Sequence, residues 1–118
     1  MNAIREGTVT LYRAVSQAEL DDIARSGGFR PSLHSMQGKW FAESADDAAA
    51  WGRAFYRYGG GAFYIVQASV PRAVADRMFR HPRLDGIGPA RYADEGLLRL
   101  MNQANHGITP LHMIPLGY

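Results

Sequence analysis

Apolar and polar positions alternate from Thr8 to Arg13 among β-forming residues, which predicts a strand. Ser16 and Glu19 have capping-box spacing, so a helix is expected to start there. It continues through Leu20, Ile23 and Ala24 and stops at Gly27-Gly28. Phe29 to Gln37, with Pro31, reads as a loop, and Lys39 to Ala42 as a short strand. An alanine-rich helix is expected from Ala45 to about Tyr58, with Ser44 as its N-cap, Asp46 and Asp47 in its first turn, and Gly59-Gly60-Gly61 ending it. Ala62 to Val70 alternates most clearly of all and is a strand. Pro71 opens a short helix running to about Phe79. His81 to Ala90, with two prolines and two glycines, reads as a loop. Leu97 to Asn102 fits a helix, and Leu111 to Leu116 a final strand. Such strands are too few and too unevenly spaced for a doubly wound parallel sheet. The expectation is one mixed α+β domain over residues 1–118, without repeat or linker.

Composition narrows the function. The chain has 118 residues and is 47% hydrophobic, enough for a small packed core and unlike a disordered tail. No apolar run is long enough to span a bilayer, and the first residues lack the apolar core of a signal peptide. A domain of this kind that leaves its producing cell would need another segment or a machine to carry it. Zero cysteines exclude disulfides and thiolate nucleophiles. His34, His81, His106 and His112 lack a shared ligand spacing, so no metal site is expected. Net charge is only +2, yet twelve of the thirteen basic residues are arginine. Codon bias accounts for that; phosphate or RNA recognition by guanidinium groups is the alternative. Arg72, Arg77, Arg80 and Arg83, with His81, form the densest basic cluster, either a solvated face or an RNA contact.

The candidate chemistry lies around Tyr12-Arg13 and Gly38 to Gly52. If alternation holds, Arg13 shares a strand face with Val9 and Leu11 and points inward, where it needs an anionic partner. That partner is either an internal acid or a bound phosphate or ribose. Trp40 and Trp51 have ten residues between them, one on a strand end and one on the following helix. An aromatic on each could clamp a flat ring. Equally, Trp40, Phe41 and Trp51 could be core, with Trp51 packing on Phe55 at i+4.

Tyr12-Arg13, then Trp40-Phe41 with Ala48-Ala49-Ala50-Trp51, then a late acid, together resemble the ADP-ribosyltransferase toxin superfamily. The arginine is similar to that of the cholera-toxin-like branch. The aromatic spacing is similar to that of the diphtheria-toxin-like branch, where two tyrosines ten residues apart sandwich nicotinamide. The resemblance implies a split β-sandwich with short flanking helices and NAD as substrate. It implies NAD binding by Tyr12, Arg13, Trp40, Phe41, Ser44 and Trp51, with Arg13 and Glu95 catalytic. Glu95, after the Leu84 to Tyr92 stretch, would stabilise the oxocarbenium-like state formed as the nicotinamide–ribose bond breaks. Glu43 is the other candidate for that part, and the alternative for Glu95 is a helix-start acid beside Asp94. Many arginine-modifying members carry Glu or Gln two residues earlier; this chain has Ala93, which disfavours arginine as acceptor.

The implied activity is mono-ADP-ribosylation of a macromolecule, either structured RNA or a translation-related protein. The implied setting is the C-terminal tip of a larger secreted bacterial effector, acting in a target cell's cytoplasm beside a cognate immunity protein. An NAD glycohydrolase using the same site with water is the nearest alternative. An RNA-binding or RNA-cleaving toxin, with His81, His106 or His112 as acid and base, is an alternative of another class. A non-catalytic adaptor keeping the fold is a third.

Overall fold

The computed structural model describes residues 7–31, 38–56, 62–104 and 108–115, with 109–115 described by backbone alone. In chain order it holds β1 (Thr8–Val15), α1 (Gln17–Ser26), β2 (Lys39–Ala42), α2 (Ala45–Tyr56), β3 (Ala62–Pro71), α3 (Arg72–Ala75), β4 (Phe79–Leu84), β5 (Gly88–Ala93), α4 (Glu95–Ala104) and β6 (Ile108–Pro115). This is a small α+β domain. Its strands form an antiparallel sheet in the order β4-β5-β2-β1-β3-β6.

One joint in that sheet is sparse. β1 pairs with β3 along its whole length, Thr8↔Pro71 to Val15↔Tyr64. β2 pairs with β5 over all four of its residues. Between β1 and β2, by contrast, the only register pair is Tyr12↔Ala42. The sheet is therefore two halves, β4-β5-β2 and β1-β3-β6, hinged at one residue pair.

Two apolar clusters lie on opposite faces. Leu11, Val15, Ile23, Phe29, Phe41, Val66, Val70 and Leu98 belong to the first, packed under α1, α3 and α4. Ala42, Ala48, Ala49, Trp51, Phe63, Ile65 and Ala90 form the second, under α2. Strand alternation distributes the neighbours: Ile65 falls in one cluster and Val66 in the other. Gly52 lets α2 approach β3, because a Cβ there would stand 2.0 Å from Phe63 Cε2.

The helix signals act as expected. Ser16 caps α1 by accepting from the Glu19 N–H at 3.1 Å, and Gly27 closes it at φ 82°. The box is only half made, since the Glu19 carboxylate turns to Arg13. Ser44 accepts from the Asp47 N–H at 3.1 Å, and Asp94 from the Leu97 N–H at 2.9 Å.

Three expectations need correction. The helix after Pro71 ends at Ala75 and does not reach Phe79. Residues 79–93 are a β-hairpin, not a loop: β4 and β5 are joined by a tight turn in which Asp85 has φ 56° and Gly86 φ 74°. Two positive φ values suit the turn that right-twisted antiparallel strands prefer, and Asp-Gly adopts it readily. Pro82 is tolerated because β4 is an edge strand and its register with β5 shifts between His81 and Leu84. Finally, β6 begins at Ile108, before Leu111, carried by pairing with β3 across Pro110.

Candidate functional site

Where β1 and β2 part, a cleft of about 590 Å³ opens. That is within the roughly 300–1,000 Å³ typical of small-molecule sites. β1 supplies Tyr12 and Arg13, α1 supplies Glu19, β2 supplies Lys39 and Trp40, α2 supplies Trp51, Phe55 and Tyr56, and the β4–β5 hairpin supplies Leu84 and Asp85.

Arg13 stands at the hinge. Its Nη1 donates to the Trp40 carbonyl at 2.9 Å, a bond from strand to strand just past the single ladder pair. Its Nε and Nη2 donate to the two oxygens of Glu19 at 2.7 and 3.1 Å. The side chains of Arg13 and Glu19 are 22% and 18% exposed, so water screens this fork little. Lys39, 8% exposed, reaches the same carboxylate, with Nζ 3.4 Å from Glu19 Oε2. Burial pushes the Glu19 carboxyl up, but the hydrogen bonds and charge of Arg13, joined by Lys39, outweigh it and hold Glu19 below its ordinary value. Burial and the Arg13 charge push the Lys39 ammonium down, against Glu19's pull upward.

The opposite wall is aromatic and carries the second acid. Trp51 Nε1 donates to Asp85 Oδ2 at 3.2 Å, linking α2 to the hairpin turn. Trp40 packs against Tyr92 at 5.2 Å and Phe79 at 6.1 Å between ring centroids, on the side of β5 and β4. Tyr56 stacks on Phe63 at 5.7 Å, and burial pushes its phenol up. Phe55, 73% exposed, forms part of the lining with little cover of its own.

Of the residues singled out from sequence, Tyr12, Arg13, Trp40 and Trp51 come together in this cleft. Three others do not line it. Phe41 is 1% exposed in the core, edge-on to Phe29 at 5.0 Å. It follows Trp40 on a strand, so the two side chains must take opposite faces. Ser44 spends its hydroxyl as the α2 cap. Glu95 is the first residue of α4, with its side chain 54% exposed and 3.9 Å from Arg99.

The acids that line the cleft are Glu19 and Asp85. Neither was singled out from sequence as a site residue, nor were Lys39 and Tyr56: Glu19 entered only as half of a capping box, Lys39 only as the start of a strand, and Phe55 only as a packing partner of Trp51. The Asp85-Gly86 dipeptide was a usable hairpin signal. Lys39, the lone lysine, sits beside Trp40.

The basic cluster is partly spent on structure. Arg80 and Arg91 both bind Glu43, at 2.7 and 2.9 Å, and together hold its carboxyl below the ordinary value. His81 Nδ1 accepts from the Arg83 N–H at 3.0 Å. His34 and His106 lie outside the described residues, as does the side chain of His112. Among the described residues no group of three or more His, Asp or Glu could hold a metal ion, and no helix is long and apolar enough to cross a membrane. Compared with known proteins, the chain matches no family model, no curated protein and no solved structure.

Proposed function

We propose that the cleft binds NAD and that the protein is an ADP-ribosyltransferase, moving ADP-ribose from NAD to a macromolecular acceptor. One observation carries this reading. Tyr12, Arg13, Trp40 and Trp51, chosen by their order along the chain, line one cleft at a split in the sheet. The split into two three-strand halves also suits the split β-sandwich that the resemblance implies.

In this reading Trp40 and Trp51 hold the nicotinamide ring, and Arg13 serves the phosphate or ribose. The C1′–N bond of the nicotinamide riboside breaks, and its electron pair leaves with neutral nicotinamide. A carboxylate on the cleft wall stabilises the ribosyl cation left behind. Asp85 takes that part, displacing Glu95, because it lines the cleft and is oriented by the Trp51 indole N–H. A carboxylate as exposed as Glu95 is screened by water. An acceptor nucleophile then bonds to C1′ and loses its proton. If water attacks, the products are ADP-ribose and nicotinamide, the glycohydrolase reading. The resemblance alone supplies the setting: delivery into a target cell's cytoplasm, with a cognate immunity protein. RNA and a translation-related protein both stand as acceptors.

The deciding measurement is nicotinamide release from NAD by the purified protein, alone and with cell extract. Release that increases with extract and leaves a labelled macromolecule supports transfer. Release without label means a glycohydrolase. If no nicotinamide appears in either case, the reading fails.

A further inference from the structure

At Glu19 the cleft brings two cations to one carboxylate. Arg13 and Lys39 both meet Glu19, at 2.7 and 3.4 Å. The other acid of the lining, Asp85, is bonded to Trp51. Lys39 is the buried charged side chain among the described residues, at 8% exposed. Placing an ammonium beside a guanidinium costs solvation and repulsion, and one shared carboxylate leaves a net positive charge. Asp22 also acts on Lys39 but is itself bonded to Arg30, so the surplus stays local to Glu19, and an anion entering the cleft there would offset it.

We propose that Arg13, Lys39 and Glu19 form an anion-exchange site, in which Glu19 is an internal counter-anion displaced by the diphosphate group of a nucleotide. This rests on reading the cleft as a nucleotide site and adds what holds the charge of the ligand and what competes with it. The Arg13 fork meets both Glu19 oxygens, a geometry that two phosphate oxygens reproduce. Its third contact, to the Trp40 carbonyl, does not involve Glu19 and keeps the guanidinium at the hinge when the carboxylate leaves. Lys39 is a point charge with three donors and no fixed plane, suited to follow a second phosphate. The Ser16 cap bonds the Glu19 backbone N–H, so its side chain can swing away without unwinding α1. An ion pair serving only the fold would weaken in every variant and tighten binding in none.

The test is calorimetric titration of inorganic pyrophosphate, ADP and NAD into the purified protein. Glu19→Gln removes the competitor and is expected to tighten pyrophosphate and ADP by roughly tenfold, whereas Lys39→Met weakens them by about as much. A folded Glu19→Gln protein whose affinity is unchanged or weaker overturns the proposal. So does a wild-type protein that binds neither pyrophosphate nor ADP. The double variant Glu19→Gln/Lys39→Met has the cleft charge of the wild type and guards against misfolding of the single variant. It must bind pyrophosphate more tightly than Lys39→Met alone; equal affinity overturns the exchange. Nicotinamide release is read separately. Tightened pyrophosphate binding with no release keeps the anion site and removes the NAD reading. Release with pyrophosphate affinity indifferent to Glu19 does the reverse.

Discussion

Arg13 shows how one side chain serves fold and site together. Its guanidinium joins β1 to β2 through the Trp40 carbonyl and fixes Glu19 on α1. Arg13→Ala is therefore expected to lower stability by about 2–3 kcal/mol, because it leaves Glu19 poorly compensated and the strand hinge unbonded. Arg13→Lys keeps the charge but cannot reach both the carbonyl and the carboxylate fork, so it should lose NAD affinity with a smaller stability loss. Denaturant unfolding and NAD titration of both variants check this; full NAD affinity in Arg13→Lys rules out the phosphate or ribose contact. Asp85 and Glu95 form the second residue-scale contrast. Asp85→Asn keeps an acceptor for the Trp51 N–H but removes the charge, so turnover should fall by about 3 kcal/mol in barrier terms while NAD affinity barely moves. Glu95→Gln should be mild. Single-turnover nicotinamide release separates them, and the reverse ranking would return the catalytic part to Glu95.

Individual elements show what the cleft walls cost. α2 lies close enough to β3 that Gly52 faces the Phe63 ring with no room for a methyl group. Helix propensity alone makes Gly52→Ala stabilising by about 1 kcal/mol. The close approach reverses the sign: the expected result is a loss of roughly 1–3 kcal/mol, as for other overpacked cores. Trimming the ring with Phe63→Leu in the same protein should recover part of that loss. Thermal unfolding of the single and double variants decides it, and a stabilised Gly52→Ala would mean that α2 is not held by this contact. The β4–β5 hairpin has a comparable dependence on its turn. Asp85 and Gly86 carry the two positive φ values that aim the Asp85 carboxylate into the cleft.

Across the whole molecule, the ion pairs that shape the cleft and brace the hairpin set the response to acid. Glu19 and Glu43 are both held below their ordinary value of 4.5, Glu19 by Arg13 and Lys39 against its burial, Glu43 by Arg80 and Arg91. A carboxylate depressed in the folded state binds fewer protons there than when unfolded. Its stabilisation is complete above the unfolded pKa and is lost as pH falls through the folded one. Unfolding free energy should thus be level with respect to these two groups at neutral pH and decline as pH drops below about 4.5. Glu43→Gln should flatten part of that decline, as measured by urea unfolding at successive pH values. A decline of the same slope in Glu43→Gln would assign the acid response elsewhere.

The chain by itself determined the local elements with strong signals: the Ser16 and Ser44 caps, the Gly27 stop, the alternation of β1 and β3 and the α+β class. It also put Tyr12, Arg13, Trp40 and Trp51 on the short list, because aromatic and cationic residues at element junctions stand out without a partner in view. Caps, stops and alternation depend on neighbours within a few residues, so sequence carries them. Tertiary structure decided the rest. The β4–β5 hairpin hides behind Pro82 and two glycines because only an edge position, with β5 paired to β2, makes a strand of such residues. Glu19 reads as half of a capping box until Arg13, six residues before it, arrives on a neighbouring element. Phe41 and Trp40 look equivalent in a list of aromatics, yet the pleat of β2 sends one to the core and the other to the cleft. That Asp85 lines the cleft and Glu95 does not has the same origin. An acid's field depends on what surrounds it, and surroundings built from β1, α1, α2 and a hairpin turn exist only once β1 and β2, joined at Tyr12↔Ala42, part beyond that pair.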